Sequence, residues 1–469
     1  MRVVSALRKA MLATALVLAA LPARAETLAD AMVAAYRHSA LLDQNRALLR
    51  AADEDVAVSM AALRPIVQWA ASHNFQRTDG VESVQTTAQL VAQMTLYDWG
   101  RNQLAIDIAK ENVLATRESL IAVEQDVLLT AVQAYLDVRS AEQQVALQEN
   151  SVNVLGQERQ AAQDRFDVGE ITSTDVALAE AQLAATRAGL AAAQGALEIA
   201  RENYRTAVGR SPGDLASPPP LPKRPESVEA AQASARGTHP VVRQAQRAAA
   251  AAELQVAAAA TERMPTVTGS AGLSATRQPQ ATRGALGLAT GVEANNSATL
   301  SASIQMQQTL YSGGRLPAAH RRAMASRDAS RATLLNSARQ VSQAVGTAWA
   351  NIDVARAQIR AINEQISAAQ QAYEGVREEA TLGARTTLDV LDAEQDLLEA
   401  RADAITAEAN LQLAHYQLLA AMGVLTAKDL KLGIPTYDPS AYYNAVRDAP
   451  YTSRQGENLD RVLRAIGKD

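Results

Sequence analysis

The chain has no cysteine among its 469 residues, so neither a disulfide framework nor a thiolate metal site is available to it. Aromatic residues are nearly as scarce, at 3% with only two phenylalanines, which argues against a thick core of large side chains. After the N-terminal segment no run of roughly 20 consecutive apolar residues occurs, so no transmembrane helix is expected. An excess of positive charge is missing as well. The formal net charge is -5, which speaks against nucleic acid as a partner. The five histidines, His38, His73, His239, His320 and His415, are dispersed without ligand spacing, and Gly313-Gly314 lacks the rest of a phosphate loop. No cofactor, no firm metal site and no catalytic group is expected, and the chain does not read as an enzyme.

Alanine is abundant instead, and alanine is the best helix former and lets helices approach closely. The N-terminus has the build of an export signal: Arg2, Arg8 and Lys9, an apolar run from Ala10 to Leu21, Pro22, and the small-x-small site Ala23-Arg24-Ala25. Residues 1–25 are therefore expected to be removed, leaving a chain that starts at Glu26. Loss of its four basic residues takes the net charge from -5 to -9. An exported chain without a membrane helix is either soluble outside the cytoplasm or inserted as a β-barrel.

Two copies of one pattern follow. The first repeat covers 26–217: a helix from Thr27 to Leu63 ended by Pro65, a β-hairpin over 65–97, a long helix over 101–167, a turn at 168–173, and a helix over 172–209. The hairpin shows period two, with Val67, Trp69, Ala71 and Phe75, then Ala88, Leu90, Ala92, Met94 and Leu96, alternating with polar residues around Thr78-Asp79-Gly80. The long helix carries Ile106, Val113, Leu120, Val127, Ala134 and Ala141 at seven-residue spacing, the mark of coiled-coil packing. At about 1.5 Å per residue it is on the order of 100 Å long.

After a linker at 218–227 the second repeat covers 228–424, with a helix from Val228 to Arg263, a hairpin over 265–311, a long helix over 315–381, a turn at 382–386 and a helix over 386–422. Pro265 lies 200 residues after Pro65, whereas Thr309-Leu-Tyr-Ser-Gly-Gly-Arg315 repeats Thr95-Leu-Tyr-Asp-Trp-Gly-Arg101 at 214. The difference places a 14-residue insertion in the second hairpin loop, around Gly284, Gly287, Gly291, Asn295 and Asn296. Residues 425–469 form a polar tail with Tyr437, Tyr442, Tyr443 and Tyr451, expected to be a loosely ordered appendage.

The most informative stretches are the two glycine turns, Gly169 leading to Asp175 and Gly383 leading to Asp389, again 214 residues apart. Asp389 and Asp392 share one helix face, and Thr386 with Asp389 is spaced as a capping box. Four strands of about 10 residues match the length of outer-membrane strands, but four cannot close a barrel, so several chains would have to share one. On periodicity alone, a soluble sandwich hairpin capping a coiled coil stays open.

The tandem repeat, Arg165-Phe-Asp-Val-Gly169 with Thr174-Asp-Val176, Leu310-Tyr-Ser-Gly-Gly314 and Leu382-Gly-Ala-Arg-Thr-Thr-Leu-Asp-Val-Leu-Asp392 together resemble the TolC family of outer-membrane efflux and secretion channels. That resemblance covers nearly the whole mature chain. It implies a mainly α fold with a transmembrane β-barrel, twelve strands in a homotrimer, and a helical periplasmic tunnel below the outer-membrane lipid of a Gram-negative cell. It implies docking to a periplasmic adaptor and to an inner-membrane transporter, ABC-type or proton-driven. By the same match Asp389 and Asp392 form a pore constriction able to bind blocking cations. Arg385 and Asp175 form an entrance latch, and Gly169 and Gly383 the entrance turns. The family's tyrosine before the second turn is replaced by Ala380. The tyrosine-bearing tail resembles the branch that serves type I protein secretion; a multidrug efflux outlet is the alternative within the family, and a non-channel periplasmic adaptor or tether the alternative outside it.

Overall fold

The computed structural model describes residues 25–78, 81–283, 289–446 and 461. The export signal before Ala25, the turn residues Asp79 and Gly80, the loop glycines Gly284 and Gly287, and the tail from 447 apart from Arg461 lie outside them. In chain order the elements are α1 (Leu28–His38), α2 (Ala40–Ala61), β1 (Ile66–Thr78), β2 (Val81–Tyr97), α3 (Arg101–Asp167) and α4 (Ser173–Val208). The second half holds α5 (Val228–Thr238), α6 (Pro240–Thr261), β3 (Thr266–Arg283), β4 (Ala289–Gln307), α7 (Arg315–Thr381), α8 (Thr387–Ala421) and α9 (Pro439–Val446). They group into two compact units, one of 1–42, 123–238 and 341–436, the other of 43–122, 239–340 and 437–469. Helices α3 and α7, 67 residues each, have residues in both.

The second unit carries the sheet. Its four strands pair antiparallel in the order β1-β2-β3-β4, so that the two hairpins of the repeat are joined through β2 and β3. The register aligns Trp69, Leu90, Leu273 and Leu300 in one row across all four strands. These side chains are 71, 47, 54 and 82% exposed, so the apolar face has no partner among the described residues. Where the hairpins run into the long helices, Tyr97, Trp99 and Tyr311 are exposed. Trp99 takes the left-handed conformation at φ 59°, where its counterpart in the second repeat is Gly313 at φ 60°. A tryptophan there is strained.

Four features depart from the sequence reading. The strands have 13, 17, 18 and 19 residues, not about 10. The 14 extra residues of the second hairpin are largely absorbed as strand: Gln278 to Arg283 pair with Asn295 to Ala289, because backbone groups at the end of a hairpin are better satisfied in a continued ladder. Each opening helix is two helices. Ser39 breaks the first by accepting the Leu42 amide at 3.2 Å, and Pro240 breaks the second by forcing His239 to an extended ψ of 128°. Finally, the tail as far as Val446 is not a loose appendage. In the second unit Tyr442 donates to Glu54 at 2.7 Å, and Tyr437 and Tyr443 lie under Arg46 and Arg117. In the first unit Leu425 and Ala427 are buried.

The first unit holds the two glycine turns and the linker. Arg224 of the linker stacks on Trp349 at 4.0 Å and pairs with Asp353 at 2.6 Å, tying the proline-rich segment down onto α7.

Candidate functional site at the paired helical turns

Both turns are built by the same local rules. After α3, Gly169 at φ 82° lets Glu170 donate to the Arg165 carbonyl at 2.9 Å and Gly169 to that of Phe166 at 2.9 Å. After α7, Gly383 at φ 79° does the same for Ala384 to Glu379 and for itself to Ala380, at 2.9 and 3.1 Å. These are paired C-terminal caps that only a residue tolerant of the left-handed region closes without strain. Nothing lies within 4 Å of a Cβ added at either glycine, so backbone conformation and not crowding demands them.

The following helices start alike. Asp175 accepts the Thr172 amide at 3.0 Å and its hydroxyl at 2.7 Å, and Asp389 accepts the Thr386 amide at 2.9 Å and hydroxyl at 2.8 Å. The side-chain bond from Thr172 holds the Asp175 carboxyl below its usual range, and the backbone bond from Thr386 does so for Asp389. Each turn is also crossed by an ion pair of opposite sense. Arg165 before Gly169 meets Glu170 at 3.2 Å, while Glu379, at the position of Arg165, meets Arg385 beyond Gly383 at 2.9 Å. Arg385 is thus engaged with Glu379 and Asp175 with Thr172. Within one chain Arg385 and Asp175 do not bond each other.

The helices leaving the turns pack together. Leu391 of α8 enters a cluster with Val176, Ala179 and Leu183 of α4, and Gln182 bonds Gln395 at 3.1 Å. Ala380 is buried with Tyr373, Val390 and Leu397, so the position is part of the packed interior of the second turn. Packing fixes which face of α8 is left outside. Asp392 is exposed and Asp389 half-buried, and the same face continues with exposed Asp396, Glu399 and Asp403. Sequence reasoning stopped at Asp392, although the steps of three, four, three and four residues from Asp389 are legible in the sequence. Like charges at that spacing destabilise a helix by roughly 0.2–0.5 kcal/mol per pair, so five in register argue for a purpose other than folding. A single acidic stripe on a convex helix attracts cations but offers no second group across a cleft for acid-base chemistry.

Glu394, on the buried face of α8, was also not singled out. It accepts from Ser151 at 2.9 Å, its other oxygen has no partner, and burial raises its carboxyl above the usual range. Only the packed structure separates it from its exposed neighbours. Among the described residues no cluster of His, Asp and Glu has the arrangement to hold a metal ion, and no helix is long and apolar enough to cross a membrane.

The sequence pattern of the family described as outer membrane efflux protein matches residues 32–210 and 232–424, one match per repeat. The outer membrane efflux protein BepC of Brucella suis is 35% identical over 442 residues, covering 94% of each chain. The outer membrane protein TolC of Escherichia coli is 25% identical over 403 residues, covering 83% of this chain and 80% of TolC. The crystal structure of the channel-forming protein CusC superimposes with a TM-score of 0.74 at 18% identity, over 85% of this chain and 92% of that one. Matching both repeats and nearly the whole length, the chain belongs to the TolC-like family of outer membrane efflux proteins, non-enzymatic channel proteins of the Gram-negative outer membrane.

Proposed function

We propose that three copies of this chain form an exit duct across the outer membrane, with the helices extending into the periplasm. The observation that carries the reading is the four-stranded sheet, whose apolar row Trp69, Leu90, Leu273 and Leu300 is exposed and whose outer strands β1 and β4 each have one unpaired edge. Open edges are not tolerated in hydrocarbon, and three such sheets joined edge to edge give a closed barrel of twelve strands. A periplasmic adaptor or tether that forms no channel has no use for such strands.

In this arrangement Asp389 and Asp392 of three chains ring the periplasmic entrance as a cation-attracting constriction, with Asp396, Glu399 and Asp403 continuing the acidic lining. Arg385 and Asp175 latch the entrance by exchanging their present partners, Glu379 and Thr172, for groups on a neighbouring helix. Val168 and Leu382, at equivalent places in the two turns and both strongly exposed, offer apolar contacts to a periplasmic adaptor that recruits an inner-membrane transporter. The cargo assigned here is protein, by type I secretion, with Tyr437, Tyr442 and Tyr443 as the feature that favours this branch.

Conductance in planar bilayers tests the duct. The protein is expected to need detergent for extraction and to form cation-selective channels blocked by trivalent cations, with selectivity and block both weakened by Asp389→Ala plus Asp392→Ala. Extraction in plain buffer with no conductance would end the duct reading, and unchanged selectivity would remove the carboxylates from the pore. Gene deletion separates the cargoes: loss of secreted proteins supports type I secretion, whereas drug sensitivity with an unchanged set of secreted proteins assigns the outlet to multidrug efflux.

A further inference from the structure

The residue expected to become the first of the mature chain is held by hydrogen bonds through its amide, its carbonyl and its carboxylate. The Glu26 amide donates to the Asp214 carbonyl at 2.7 Å, and its carbonyl accepts the Ala216 amide at 2.9 Å. The Tyr135 hydroxyl is shared between the carbonyls of Ala216 at 2.6 Å and Glu26 at 3.1 Å. The Glu26 carboxylate accepts from the Tyr204 hydroxyl at 2.6 Å and from Arg210 at 2.7 Å. Its side chain is 11% exposed and both tyrosines are fully buried, yet Ala25 immediately before it is exposed. Arg139 holds the opposite wall by donating to the carbonyls of Leu215 and Ala216 at 3.1 and 3.0 Å.

The internal repeat supplies a control. The position equivalent to Glu26 is Glu226, where the chain runs on continuously through the linker, and this residue is exposed. The positions equivalent to Tyr135, Tyr204 and Arg210 are Trp349, Leu418 and Val424, none of which has a hydroxyl or a charge. The polar clamp is therefore a feature of the first repeat and is not reproduced in the second.

We infer that Tyr135, Tyr204, Arg210 and the 214–216 backbone form a receptor for the processed N-terminus, with Glu26 as its ligand. Hydrolysis of the Ala25–Glu26 bond adds water across the amide: Ala25 departs with the new carboxylate, and the Glu26 nitrogen is left as an amine that protonates to an ammonium. The N–H bond to the Asp214 carbonyl then becomes charge-assisted, which strengthens it. The surrounding cleft, about 590 Å³, presents the carboxylates of Asp30 and Asp214 alongside Arg37 and Arg210, a setting that accepts the new positive charge. Removal of the signal thus tightens the anchoring of the segment after α4 to the start of α1.

Intact mass and amine labelling of the full-length protein purified from outer membranes test this. The mature chain is expected to start at Glu26, and its α-amine to react with an aldehyde-borohydride reagent at least about tenfold more slowly than after denaturation, the protection of a single charge-assisted hydrogen bond. A chain carrying two extra glycines ahead of Glu26 is expected to keep its helical circular dichroism and to label at close to the denatured rate, whereas Tyr204→Phe, which loses a bond to the Glu26 carboxylate but keeps the one from its nitrogen to Asp214, is expected to label at a rate between the folded wild type and the denatured chain. Should Tyr204→Phe fail to fold, the wild type and the glycine-extended chain decide. A mature chain starting elsewhere, a wild-type amine labelled as fast folded as denatured, or an extended amine as protected as the wild type would each overturn the inference.

Discussion

Asp53 offers the sharpest quantitative test of how the helices of the second unit are held. It lies on α2, wholly buried, and neither carboxylate oxygen has a hydrogen-bond partner; Arg117 of α3 is 3.8 Å away, beyond hydrogen-bond reach. Burial dominates over the attraction of Arg117 and raises the carboxyl from 3.8 to about 6. A folded state that holds the proton more tightly than the unfolded chain is most stable below about pH 4 and loses that contribution as pH rises through about 6. Two units at about 1.36 kcal/mol each make the ionised carboxylate cost up to about 3 kcal/mol at neutral pH. Asp53→Asn keeps the shape and removes the charge, while a buried amide left without partners still costs about 1–2 kcal/mol, so the net gain at pH 8 is about 1–2 kcal/mol. Thermal unfolding in detergent should show a Tm a few degrees above wild type at pH 8, with the two proteins converging towards pH 4. A lower Tm for Asp53→Asn at pH 8 would mean that Arg117 stabilises the carboxylate by more than burial disfavours it, and would refute the reasoning.

Three further outcomes are expected. Gly383→Ala forces a side chain into the left-handed region at φ 79° and should lower stability by about 1–2 kcal/mol although space is free around it; an unchanged Tm would show that the turn relaxes. Leu273→Arg places a charge in the centre of the apolar row and should cost about 2–4 kcal/mol of membrane insertion, read as loss of the protein from the outer-membrane fraction; normal insertion would take that face out of the lipid. Tyr442→Phe removes the bond to Glu54 and should expose the tail to limited proteolysis severalfold faster, whereas an unchanged rate would show that the stacked Tyr437 and Tyr443 suffice to hold it.

Element type and position were legible wherever the cause is local. The heptad run from Ile106 and the one from Ala338 mark helices observed at Arg101–Asp167 and Arg315–Thr381. Gly169 and Gly383 mark the turns because a left-handed cap needs glycine whatever surrounds it. Pro240 is an equally local signal, since proline restricts the residue before it whatever surrounds the pair. The break at Ser39 was harder to see, since serine inside a helical pattern is common and only its bond to Leu42 reveals a cap.

From its sequence alone this protein is a tandem repeat of long helices and amphipathic hairpins, with two glycine turns that each end in a capping aspartate, because period, cap and repeat are properties of neighbouring residues. Tertiary structure alone decides which residues meet. It aligns Trp69, Leu90, Leu273 and Leu300, turns Glu394 inward and Asp392 outward on one helix, buries Asp53 without a hydrogen bond, and brings Tyr135 and Tyr204 to Glu26 from 109 and 178 residues away. Pairings over such separations follow from side-chain packing between elements, and no local period encodes them.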